Sequence, residues 1–171
     1  KAGTSAGAPE KLHTPGAGGI DDVVTFLKKA GHAGVSSARM LKALVYVAGT
    51  RTVMVVVRGD HQVNEIKLSK ALGATEVHLA SEAEVKRATG ASIGFAGPVG
   101  YGGEVIADTA VASVVDAVTG ANETDHHLAR FARPQDARRQ AARLGDLDGG
   151  RLHLHPVRDR NQQLGLAPAP S

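Results

Sequence analysis

Hydrophobic and polar positions along this chain switch repeatedly between a helical and an extended period. In IDDVVTFLKKAG, Ile20, Val23, Val24 and Leu27 fall three and four residues apart, which predicts a helix stopped at Gly31. Ser36 or Ser37 can cap a short helix through Arg39 to Leu41, which passes into ALVYVAG. That run and RTVMVVVRG are rich in β-branched residues and flank a Gly-Thr turn, the pattern of two paired strands. The second is apolar at successive positions, so it belongs inside a sheet covered on both faces.

Asp60 offers an N-cap for a helix over HQVNEIKLSKALG, with Val63, Ile66 and Leu72 on one face and Gly73 as its stop. A short strand, EVHLA, follows. Ser81 and Glu84 have capping-box spacing, which predicts a helix to about Thr89 closed by Gly90. After a glycine-rich stretch, EVIAD reads as a strand, TAVASVVDAVTG as strand or helix, and GANETDHHLARF as a turn and strand. The Gly, Ala, Ser and Pro content of residues 1–19 reads as a flexible lead-in, and residues 137–171 as a basic, partly disordered tail. Strands alternating with helices predict an α/β (α+β) fold, a single domain with a mixed central β-sheet flanked by helices.

Composition narrows the chemistry. With 171 residues and only 3% aromatics, the chain can bury one core, built mainly from Val, Leu, Ile and Ala. The absence of cysteine removes disulfides and thiolate metal sites and suits a cytoplasmic protein; no apolar run is long enough to cross a membrane. An initial Lys in place of Met suggests an excised piece of a longer chain. The net charge of +3 permits contact with nucleic acid, and the run RFARPQDARRQAAR at 130–143 concentrates the basic residues.

Candidate chemistry is sparse. GFAGP, Gly94 to Pro98, combines glycines that let a backbone approach a ligand with a proline that stiffens the exit; by itself it reads first as a plain turn. Lys42 stands at the entrance of an apolar strand, where it either reaches a buried pocket or snorkels past the sheet edge. Asp125, His126 and His127 are adjacent and cannot all face one ion in a strand, so no metal site is assigned; His127 fits better as a hydrogen-bonding site residue.

The succession TPG (14–16), LK (41–42), VVVRGDHQVNEIKL (55–68), GFAGPVG (94–100), VIAD (105–108) and GANETDHH (120–127) resembles the editing insertion domain of bacterial prolyl-tRNA synthetases. It is also similar to the wider YbaK-type family of aminoacyl-tRNA deacylases. The resemblance spans about residues 10 to 136 and implies an editing domain over 20–136 without a cofactor. Its implied activity is hydrolysis of tRNA(Pro) wrongly charged with a small amino acid, chiefly alanine. The implied partners are the tRNA acceptor end and the rest of a synthetase. A free-standing deacylase for Cys- or other small-residue-tRNA and a non-catalytic tRNA-binding insertion are the alternatives.

Residue by residue, the resemblance puts the catalytic set on Lys42, Asp108 and His127. It puts substrate binding on Gly94, Phe95, Ala96, Gly97 and Pro98, together with Arg58, Asn64, Lys67 and Asn122. The chain departs from the family where Ala132 and Gln135 precede Asp136.

Overall fold

A computed structural model describes residues 9–131 and two further short strands at 152–154 and 166–168. The elements run β1 (Glu10–His13), α1 (Ile20–Lys29), β2 (Met40–Ala48), β3 (Arg51–Arg58), β4 (His61–Val63), α2 (Glu65–Leu72), β5 (Val77–Leu79), α3 (Glu82–Thr89), β6 (Glu104–Ala107), β7 (Ala117–Gly120), β8 (His126–Phe131), β9 (Leu152–Leu154) and β10 (Leu166–Pro168). The main sheet has the order β1-β8-β7-β2-β3-β6-β9, with β5 also on β2; β10 and β4 form a separate pair. It is mixed: β2 is antiparallel to β3 and β5 and parallel to β7, while β3 is parallel to β6. The Arg/Ala run at 132–143 lies outside the described residues.

The hairpin β2–β3 carries the core. Val53 to Val57 are all buried, so β3 is covered on both faces, as its unbroken apolar run predicts. On one face Met54 and Val56 pack with Leu41, Val99, Val105 and Val111; on the other Val53, Val55 and Val57 pack with Tyr46, Leu68 of α2 and Ile106. Helix α1 buries Val23 and Leu27 against Met40, Val118 and Ala129, and α3 sets Val85 against Val45 and Ala80. Each fully buried aliphatic side chain contributes roughly 1.5–3 kcal/mol relative to exposure.

Several local predictions are replaced by longer-range structure. Residues 10–13, inside the stretch that composition reads as a lead-in, form a strand antiparallel to β8. Their polar sequence gives no hydrophobic signal, because the pairing is made by main-chain atoms. Asp60 does not cap α2: HQV is a strand, and Asn64 caps the helix by accepting from the Lys67 N–H at 3.1 Å. Asp60 is held instead by Arg58 in a two-pronged ion pair at 2.6 and 2.9 Å. Ile66 then falls on the solvent side at 70% exposed, and Leu68 takes the buried position. The helix expected over 36–41 is a single 3-10 turn, Ser37–Arg39, because Met40 already pairs with Val118. The ambiguous stretch 109–120 resolves into a 3-10 turn, Thr109–Ser113, and strand β7. The capping box at Ser81 and Glu84 is present in both directions, and Gly73 and Gly90 end their helices with φ of 63° and 83°.

Candidate active site

A cavity of about 250 Å³ opens where β2 loses its neighbours, and Lys42, Gly94, Ala96, Gly120 and His127 line it. A larger, more open concavity of about 680 Å³ lies at the β2–β3 turn and the end of α2, lined by Gly49, Arg51, Gly73 and His78 among others. Size favours the second, chemistry the first: only the smaller cavity joins a half-buried ammonium to a buried imidazole and a tightly constrained loop.

Lys42 does not snorkel to solvent. Its Nζ donates to the main-chain oxygen of His61 at 2.6 Å, and burial pushes its pKa below the usual lysine range, partly opposed by the Asp60 carboxylate. His61 is itself anchored: its buried Nδ1 stands 3.3 Å from Oδ2 of Asp108, which is 1% exposed at the end of β6. A charge in a strand interior is thereby aimed by a carbonyl whose residue is fixed to a third strand. Asp108 acts here through His61 and does not line the cavity.

His127, on β8, is buried and its pKa is lowered to about 4, chiefly by desolvation. It is therefore neutral near pH 7. Thr14 Oγ1 lies 2.6 Å from its Nδ1, and the Gly94 backbone makes a further hydrogen bond to the ring. Held from both sides, the imidazole joins the segment before α1 to the glycine loop. Phe95 packs its ring at 5.4 Å from that imidazole.

The glycine loop is constrained by backbone packed on backbone. A Cβ on Gly94, whose φ is 94°, would fall 2.7 Å from the Cα of Gly18. One on Gly97 would collide with the Gly120 carbonyl, and one on Gly120 with the carbonyls of Phe95 and Ala96. Asn122 fastens the assembly: its Oδ1 accepts from Gly97 N at 2.8 Å, and its Nδ2 donates to the oxygens of Gly97 and Val99 at 2.8 and 2.7 Å. Its own φ of 55° is left-handed, a conformation Asn tolerates better than most residues.

The sequence-derived residues thus separate. Lys42, His127, Gly94 and Ala96 meet at the cavity, while Phe95, Gly97, Pro98 and Asn122 build its frame. Arg58 pairs with Asp60, Asn64 caps α2, and Lys67 belongs to that helix, all away from the cavity lining. His61, Thr14, Gly18 and Gly120 escaped the reading of roles. The only local signals were the short TPG, RGDH and GAN motifs in which they or their neighbours sit. Among the described residues no cluster of three potential ligands could hold a metal ion, and no helix is long and apolar enough to cross a membrane.

The family model for the aminoacyl-tRNA editing domain matches residues 20–139. The chain is 42% identical over 119 residues to a proline–tRNA ligase of Caldicellulosiruptor bescii, covering 70% of this chain and 20% of that protein. It is 43% identical over 132 residues to the proline–tRNA ligase of Bacillus subtilis, covering 76% and 22%. The chain therefore spans about a fifth of the length of these relatives. Among solved structures, a candidate trans-editing enzyme for prolyl tRNA synthetase superposes with a TM-score of 0.64 at 18% identity, covering 85% of this chain and 84% of that one. A hypothetical protein superposes with the same TM-score at 21% identity, covering 84% and 89%. These two likenesses establish the fold.

Proposed function

Because this chain belongs to the aminoacyl-tRNA editing domain family, we propose that it hydrolyses tRNA(Pro) mischarged with a small amino acid, chiefly alanine, as the editing insertion of a bacterial proline–tRNA ligase in the cytoplasm. The observation that most supports this reading is the meeting of Lys42, His127 and the glycine loop at one cavity of about 250 Å³.

In this reading the acceptor end enters with its aminoacyl ester in the cavity. Lys42 keeps two N–H groups beyond the one given to His61, and directs them at the ester carbonyl and the ribose oxygen that leaves. Water attacks the carbonyl carbon, the C–O bond to the ribose breaks, and the departing oxygen takes up a proton. His127, neutral and held by Thr14 and the Gly94 backbone, suits fixing the wall beside the ribose rather than moving that proton, so the neighbouring ribose hydroxyl carries it. Proline is refused on size, since each extra methylene in a fitted pocket is worth about 1–3 kcal/mol.

The test is release of amino acid from Ala-tRNA(Pro) and Pro-tRNA(Pro) by the chain and by Lys42→Ala. Hydrolysis of the alanyl ester alone, lost in the variant, is expected. Equal release by wild type and variant would remove Lys42 from the mechanism.

A further inference from the structure

Strand β2 offers the cavity its main-chain edge. Six consecutive residues, 40–45, line the cavity, although side chains of a strand alternate between faces. What the cavity meets is therefore the rim of the strand. The oxygen of Met40 accepts from Gly59 N on the β3 side, while that of Val45 accepts from Ala80 N on the opposite side. Main-chain groups alternate direction along a strand, so Ala43, two residues from Val45, turns both its N–H and its C=O away from β3.

Neighbours are missing at that position. Strand β5 covers Tyr46–Ala48, and Ala80 reaches Val45 before the chain enters the α3 cap at Ser81. Strand β7 covers Met40 and Leu41, after which Ala121 turns back to bond His126. Ala43 falls between them and has no main-chain partner on that side among the described residues. A half-buried N–H and C=O left open inside a sheet carry a cost comparable to a lost hydrogen bond, unless a ligand takes them.

We propose that Ala43 docks the aminoacyl group. Its C=O accepts from the α-amino group of the substrate and its N–H donates to the ester carbonyl, so that the amino acid pairs with β2 as an antiparallel strand one residue long. The proposal rests on the editing reading of this cavity and adds the main-chain atoms that hold the acyl group, through the amine and carbonyl common to all α-amino acyl esters. The cavity lining supports it, since it contains no Asp or Glu to receive an amino group and the side-chain charge present, Lys42, is positive. Choice among side chains is then left to the apolar walls.

The test compares tRNA(Pro) carrying alanyl and propionyl groups, which differ only in the amine, each rate divided by its spontaneous hydrolysis. Propionyl is expected to fall on the order of 10- to 100-fold, because the Ala43 oxygen loses its donor. A second arm replaces the peptide N–H of Ala43 with an ester oxygen by backbone-ester incorporation, leaving every side chain intact. That protein should lose activity on both acyl groups by a similar factor, since both keep the carbonyl. Propionyl cleaved as fast as alanyl, or a backbone ester at Ala43 without effect, overturns the docking mode while leaving the editing activity standing. Absence of alanine release by the unmodified chain would remove the editing reading and this inference together.

Discussion

The two concavities of this molecule are both bordered by glycine, and the glycines do different work. At the open groove, Gly49 and Gly73 have φ of 63° and nothing within 4 Å of where a Cβ would sit. They are present because the chain turns there. At the smaller cavity, Gly97 and Gly120 have no positive φ, and a Cβ on either would occupy a carbonyl oxygen of the other's segment. They are present because two backbones touch. A turn glycine is a conformational convenience, whereas a contact glycine is part of a joint, and the cavity wall is made of such joints.

The comparison breaks most readily by substitution. Gly97→Ala is expected to destabilise the chain by more than about 4 kcal/mol in urea unfolding, since main-chain atoms cannot move aside, whereas Gly49→Ala should cost about 1–2 kcal/mol. Similar losses would mean the loop has room to shift.

Acid sharpens the contrast through His127. Its folded pKa, lowered to about 4, lies below the unfolded value, so between about pH 6.5 and 4 only the unfolded chain binds the proton and stability is lost as the pH is lowered; above and below that window the difference is constant. The loss is of the order of 3 kcal/mol, and His127→Gln should flatten this part of the stability profile. An unchanged slope would show that another group governs it.

A smaller effect concerns the aim of Lys42. His61→Leu keeps the carbonyl that the amine bonds but releases its tie to Asp108, and deacylation is expected to fall about 10- to 100-fold through misplacement. His61→Asn, whose amide occupies the place of Nδ1, should recover much of it. Arg51→Ala, which removes a bond to the Leu72 oxygen at the open groove and an ion pair with Glu104, should leave the rate of deacylation unaltered. The least effect is expected at exposed Ile66, where Ile66→Ser should stay within about 0.5 kcal/mol in the same unfolding measurement.

What was legible in the sequence was what neighbouring residues decide among themselves. The α1 stripe, the β2–β3 hairpin, the Ser81–Glu84 box and the left-handed stops at Gly73 and Gly90 all follow from spacings of a few residues. Strand β1 was not legible, because EKLH becomes a strand only when β8 arrives from more than a hundred positions away. Asp60 shows the same limit at short range: its helix-capping chemistry is sound, but Arg58 and the pairing of HQV with β10 claim that stretch first. For the site, Lys42, His127 and GFAGP could be read from motif order, since their residue types are distinctive. His61 could not, because what it offers Lys42 is a main-chain oxygen, which any residue type would supply.

The segment that links β1 to α1 has a consequence for how this unit is handled. Thr14 meets His127, Gly16 N donates to Asp125 Oδ1 at 2.9 Å, and Gly18 lies against Gly94. The family match begins at residue 20. A piece cut at that boundary would keep every motif from Lys42 onward and still lack TPG and one wall of the cavity. Grafts and truncations of this unit should therefore begin ahead of Glu10, treating the incoming chain as a component of the cavity rather than its leash.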